Sequence, residues 1–171
     1  MNFWVPHLVQ TAGVKQPLYI GLISSIPYIC GAICLVVVGR LSDASGERRK
    51  YLLGLLFGAA LGFAGAAFFD QSVLPLMLSL ALIGASVLTS ISTFWTLPPK
   101  LVSGAGAAAG IALINTLSQI GGIVSPVMVG RVRDLMGSTT PALYAISVLC
   151  VVCAVLVLFA LPERLRRRDL H

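Results

Sequence analysis

Apolar residues run through this chain in five long blocks. No Asp, Glu, Lys or Arg occurs within residues 16–39, 51–69, 71–99, 101–130 or 135–162, which are stretches of 24, 19, 29, 30 and 28 residues. None of them shows the strict apolar and polar alternation of a half-buried or lipid-facing strand. A helix rises about 1.5 Å per residue, so about 20 apolar residues cross a hydrocarbon core of about 30 Å. Each block is long enough for one such span and too short for two. In lipid only helices or closed barrels satisfy every backbone N–H and C=O, so the pattern predicts an all-α integral membrane protein with five transmembrane helices. They are expected near residues 18–38, 51–69 and 73–94, in the fourth block from its Gly/Ala run onward, and near residues 141–161.

The interruptions within the blocks carry the next layer of information. Pro27 and Tyr28 fall in the middle of the first span, where proline removes a backbone hydrogen bond and bends the helix. Gly54, Gly58 and Gly62, four apart in the second span, leave one face bare and let a neighbouring helix approach. The third span gathers Ser86, Thr89, Ser90, Ser92, Thr93 and Thr96 towards its far end, beside Trp95 and the Pro98-Pro99 stop. Those hydroxyls either bond back to their own helix or line a cavity, and Trp95 is either an interfacial anchor or the wall of a site. The fourth span begins at Gly104, Gly106 and Gly110 and holds Asn115, Ser118 and Gln119. Spacings of three and four put these polar residues on one face, continued by Gly122 and Ser125. Amides at that depth need a partner, which is another helix or a polar ligand. The fifth span has little besides apolar residues and is expected to be a lipid-facing support helix.

Composition sharpens this picture without changing it. The 171 residues are 57% hydrophobic and 11% charged, where an average soluble domain is about a quarter charged. The net charge of +6 does not point to nucleic acid, because the basic residues lie in short connections between spans. Lys15, Arg131 and Arg133 fall on one side of a five-span topology, and Arg40, Arg48, Arg49, Lys50, Lys100, Arg164, Arg166, Arg167 and Arg168 on the other. Three against nine places the second set in the cytoplasm by the positive-inside rule. The N-terminal segment, residues 1–17, is then outside and the basic tail, residues 163–171, inside, flanking a five-helix bundle at residues 18–162. Residues 1–13 lack the basic start of a cleavable signal peptide. Cys30, Cys34, Cys150 and Cys153 fall at lipid depth and are expected to be packing residues. No cofactor and no metal site is expected.

One connection carries a recognisable pattern: Gly39-Arg40-Leu41-Ser42-Asp43-Ala44-Ser45-Gly46-Glu47-Arg48-Arg49-Lys50. Gly39 would allow close helix approach, Gly46 a tight turn, and Asp43 could cap a neighbouring helix N-terminus or pair with a nearby Arg. This segment resembles the loop that recurs in each half of the major facilitator superfamily. Further likenesses run along the chain: Asn2-Phe3-Trp4-Val5-Pro6 resembles the outer end of a seventh helix, Ile26-Pro27-Tyr28 the middle of an eighth, and Phe94-Trp95-Thr96-Leu97-Pro98 the inner end of a tenth. Residues 110–115 with Gly121, Gly122, Pro126, Gly130, Asp134 and Gly137 resemble an eleventh helix and its exit. Together they are similar to the anion:cation symporter family, the permeases for sugar acids, tartrate and related carboxylates.

That resemblance implies ion-coupled transport of a small organic anion by alternating access, in the cell membrane. It implies substrate contacts at Asn115, Trp95 and Ser92, with Gln119 and Tyr28 as further candidates. It assigns Gly39, Asp43, Gly46, Arg48 and Arg49 to a loop whose contacts change with conformation. The departures are large. Most of the seventh helix and the whole N-terminal half are missing from this chain, and no ionisable Asp, Glu, Lys or Arg lies within a span. The chain is therefore expected to be a C-terminal portion, and the alternative is a truncated or helper membrane protein without transport of its own. An enzyme is not expected, since no nucleophile and base pair is visible and the histidines, His7 and His171, lie near the ends.

Overall fold

A computed structural model describes residue 10 and residues 16–69, 72–98 and 106–160. Its regular structure is helical throughout: α1 Pro17–Ser45, α2 Arg48–Phe68, α3 Val73–Trp95, α4 Gly106–Met136 and α5 Thr140–Ala160. All five are long and apolar enough to cross a membrane, and the protein is an all-α membrane protein. The expected stub at residues 2–6, Lys100, Gly104 and the tail at residues 163–171 lie outside the described residues.

Two helices run further than the charge-free blocks suggested. α1 continues through Arg40 and Asp43 to Ser45, so most of the 39–50 segment is helix and only Gly46 and Glu47 separate α1 from α2. α4 likewise carries Arg131, Arg133 and Asp134 in its last turns instead of leaving them in a loop. Charge marks where a helix leaves hydrocarbon, whereas its end is set by backbone geometry: Gly46 and Gly137 take positive φ of 66° and 69° just beyond the two C-termini. Their N–H groups return to Ser42 and Arg133 carbonyls at 3.1 and 2.8 Å, the left-handed cap that glycine adopts without Cβ strain.

The bundle is organised around α3, which packs along both α1 and α2, while α5 packs on the other side of α2. Glycine makes both α3 contacts close. A Cβ on Gly62 would fall 2.7 Å from Ile83 Cγ1, and on Gly58 or Gly65 2.6 Å from the Oγ of Ser86 or Ser79, so α2 and α3 run antiparallel with backbones nearly touching. The bare stripe of α2 is thus Gly58, Gly62 and Gly65; at Gly54 nothing lies within 4 Å of a Cβ, and the same holds at Gly39, where a close approach was expected. The second contact is Gly84 of α3 against the Pro27 carbonyl of α1, with Gly31 against Gly84 and Leu88. These pairs put α1 and α3 parallel, crossing at the proline.

A buried apolar knot of Ile20, Ala66, Ala67, Leu76, Leu80, Ile83 and Leu143 closes the end of the bundle where α1, α3 and α5 begin. α5 is only partly the lipid-facing support that was expected. Leu149, Val152, Leu156 and Phe159 are exposed, but Ala142, Leu143 and Ala154 are buried, and the Ser147 hydroxyl donates to the Ala60 carbonyl of α2 at 2.8 Å. α4 stands apart: it touches only α5 appreciably, and Val129 is its one buried residue among those described.

Gly84→Ala should therefore lower the melting temperature of the detergent-solubilised protein, by the equivalent of about 1–3 kcal/mol, since the new methyl meets backbone atoms that cannot turn aside. Gly21→Ala, with nothing within 4 Å of the new Cβ, should leave it unchanged or raise it. Equal melting temperatures for the two variants would contradict the close α1–α3 crossing.

Candidate functional site

The polar residues of α3 divide into two groups. Ser90, Thr93 and Thr96 donate to carbonyls of their own helix, those of Val87, Thr89 and Thr93, at 2.9, 2.9 and 2.7 Å. For these three the helix-internal alternative holds. Thr89 is 1% exposed and its Oγ1 has no hydrogen-bond partner among the described residues. Ser92 is exposed, and Trp95 is half-buried and stacks edge-on to Phe94 with ring centroids 5.9 Å apart.

Tyr28 is half-buried on α1 next to the proline crossing. Because Pro27 lies level with Gly84 and the two helices are parallel, Tyr28 and Ser92 are separated along the axis by about 10 Å, roughly seven residues at about 1.5 Å each. They belong to different levels of the bundle.

On α4, Asn115, Ser118 and Gln119 are all exposed. Ser118 and Thr116 satisfy themselves on the Ile114 and Ala112 carbonyls at 2.8 and 2.9 Å. The two amides differ, since no hydrogen bond from Asn115 or Gln119 to another helix occurs among the described residues. The structure does not bring them to Trp95, Ser92 or Tyr28, because α4 has no substantial packing against α1 or α3. The five candidate residues are thus not brought together: Ser92 and Trp95 lie at the far end of α3, Asn115 and Gln119 on the exposed face of α4, and Tyr28 on α1 at another level.

The 39–50 segment is better defined. Arg48 Nη2 donates to Asp43 Oδ1 at 2.8 Å and Nη1 to the Thr96 carbonyl at 3.5 Å, so one guanidinium joins the end of α1 to the end of α3, one residue beyond Trp95. Arg49 Nη2 donates to the Leu158 carbonyl in the last turn of α5. Two adjacent arginines at the start of α2 thereby cap the C-termini of two other helices, whose orphan carbonyls and dipoles favour a cation. Asp43 pairs with Arg48, one of its two expected roles. Arg49 Nε and Ser42 Oγ are buried without a partner among the described residues. The arginine caps were not anticipated as contacts to α3 and α5; adjacent basic residues at a helix start, level with two helix ends, are the signal that marks them.

The amino-acid sequence matches the family model for the Major Facilitator Superfamily over residues 1–170. The chain belongs to the Major Facilitator Superfamily. Among curated relatives, a protein of Agrobacterium vitis named for tartrate transport is 34% identical over 92% of this chain and 35% of its own length. The quinolone resistance transporter of Acinetobacter baumannii is 32% identical over 100% of this chain and 40% of its own. A Pseudomonas putida protein named for metabolite transport, NicT, is 30% identical over 98% and 38%. The chain thus spans 35 to 40% of the length of these relatives. No solved structure matches it. The family resemblance read from the 39–50 segment and the Trp95 and Asn115 regions is borne out.

The ion pair and the carbonyl caps contribute differently. Asp43 is 68% exposed, so the pair itself is expected to be worth less than about 1 kcal/mol. Arg48 also holds the Thr96 carbonyl, and replacing it should cost more, about 1–2 kcal/mol. Thermal unfolding in detergent should place Asp43→Asn nearer the parent than Arg48→Gln. The reverse order would show that the carboxylate, not the carbonyl cap, is what Arg48 holds.

Proposed function

We propose that this chain forms the C-terminal part of a transporter that carries a small organic anion, a carboxylate or sugar acid, across the cell membrane by ion-coupled alternating access. The observation that carries this reading is the uncovered polar face of α4: Asn115 and Gln119, one turn apart on a membrane-spanning helix, with no other helix among the described residues to satisfy them. Leaving such amides in hydrocarbon is costly, so they are suited to face a polar cavity. The names of the relatives, which include tartrate transport and galactarate/D-glucarate transport, support an organic acid as the substrate class.

In this reading Asn115 and Gln119 donate and accept hydrogen bonds at the substrate, and Trp95 and Ser92 line the end of the pathway at the tip of α3. Tyr28 contributes at another level, beside the Pro27 bend. The charge-free blocks of the spans supply no Asp, Glu, Lys or Arg at mid-membrane depth, so in this reading the charge that holds the carboxylate and the group that couples an ion come from the N-terminal half. The substrate site lies between the halves, and rocking of one against the other exposes it alternately. The end carrying Arg40 to Lys50 faces the cytoplasm, following the nine-to-three distribution of basic residues. The Arg48 and Arg49 caps sit at that end and keep α3 and α5 moving with α2, while the exposed Asp43 carboxylate is placed to exchange partners during rocking.

A chimera tests this directly: residues 1–171 replacing the matching C-terminal segment of the Agrobacterium vitis relative, assayed for tartrate uptake. Asn115→Ala should weaken substrate affinity by about 5- to 150-fold, equivalent to about 1–3 kcal/mol for an unpaired buried group, with the melting temperature unchanged. Unchanged affinity with a lowered melting temperature would make Asn115 a packing residue. A chimera that folds and inserts but shows no uptake of any organic acid would favour a membrane protein without transport of its own.

A further inference from the structure

α1 and α2 touch little compared with the contact each makes with α3, and they leave a groove between them at the end that carries the 39–50 segment. Its volume is about 370 Å³ and its lining is Val38, Glu47, Lys50, Tyr51, Gly54 and Leu55. The floor is apolar and stays open because Gly54 has no side chain: nothing lies within 4 Å of where its Cβ would be. The mouth is charged, with Lys50 70% exposed and its ammonium 2.8 and 2.9 Å from the two Glu47 carboxylate oxygens.

The groove lies within two turns of the point where the chain passes from charged to apolar residues, so it spans the boundary between headgroups and hydrocarbon. An occupant there needs an apolar part for the floor and a polar part for the mouth. The local charge favours an anion: residues 40–50 hold Arg40, Arg48, Arg49 and Lys50 against Asp43 and Glu47, and the two acids are already paired with Arg48 and Lys50. Arg40 is exposed and makes no ion pair among the described residues. Lys50 gives little up by turning to a new partner, since an exposed pair one turn apart is worth only a few tenths of a kcal/mol.

We propose that this groove is a binding site for one anionic phospholipid, an acyl chain lying over Gly54 and Leu55 between Val38 and Tyr51 and the phosphate meeting Lys50. The proposal does not depend on which solute the protein carries. The bound lipid would fill the gap that the α1–α2 pair leaves and so stiffen the end of the bundle where Arg48 and Arg49 cap their neighbours.

The test is native mass spectrometry of the full 171-residue chain released from micelles containing equal amounts of phosphatidylglycerol and phosphatidylcholine. One phosphatidylglycerol per chain should be retained, at about fivefold preference, the effect of one lysine near an anionic headgroup. Lys50→Gln should bring the preference to near unity. Gly54→Leu should displace the lipid altogether while leaving the melting temperature in lipid-free detergent unchanged, because the added side chain enters open space. Equal retention of the two lipids by the parent chain overturns the proposal. So does preferential retention that Gly54→Leu leaves intact, which would mean attraction to surface charge without use of the groove.

Discussion

Everything else in this bundle depends on how closely α3 approaches its two neighbours. In lipid, helices gain nothing from hiding apolar surface from one another, because lipid tails are as apolar as leucine. What remains is close van der Waals contact, and that requires small residues at the crossing. Gly58, Gly62 and Gly65 admit the α3 side chains Ser86, Ile83 and Ser79, and Gly84 brings α3 onto the Pro27 carbonyl of α1. With α3 fixed on both sides, its far end, and with it Ser92, Trp95 and Thr96, is held at a set position relative to the Arg48 cap.

The two ends of the bundle are closed by different physics. Where α1, α3 and α5 begin, an apolar knot that includes Leu76, Leu80 and Ile83 excludes neighbours by packing alone. At the opposite end the same helices are joined by guanidinium groups on carbonyls, with Asp43 as the one paired carboxylate of Arg48. Packing of the first kind changes little with conformation, whereas polar contacts at a water-facing end exchange partners readily. In the proposed reading the knot and the caps together hold the helices of this bundle as one body that rocks against the other half.

The fold was legible because lipid imposes a single requirement, satisfied backbone, which shows as uninterrupted apolar length. The length of the charge-free blocks located all five helices, but it misplaced the ends of α1 and α4, since a helix stops at a left-handed glycine such as Gly46 or Gly137 and not where charge first appears. The small-residue stripe of α2 was visible as a period of four, yet which glycines meet a partner depends on where α3 diverges, and Gly54 proved open while Gly65 proved closed. Gly31 and Gly84 were not anticipated as contacts, because Gly84 is the one glycine of the α3 span and Gly31 is not part of a run of glycines four apart. The candidate site was legible only as a set of polar residue types. The chain's own helices leave Asn115 and Gln119 apart from Trp95, Ser92 and Tyr28, because among the described residues α4 has no substantial packing against α1 or α3.

The central claim, that the polar face of α4 borders a water-filled pathway, is open to one direct measurement: cysteine accessibility scanning along residues 111–126 of the chimera. Cys30, Cys34, Cys150 and Cys153 are first replaced by serine or alanine, and single cysteines are then probed with a membrane-impermeant thiol reagent. The account predicts labelling at positions 115, 118, 119 and 122, repeating every three to four residues, slowed by tartrate at 115 and 119, with positions 113, 117 and 124 unreactive. Uniform protection along the helix, or labelling centred on 113, 117 and 124, would contradict it.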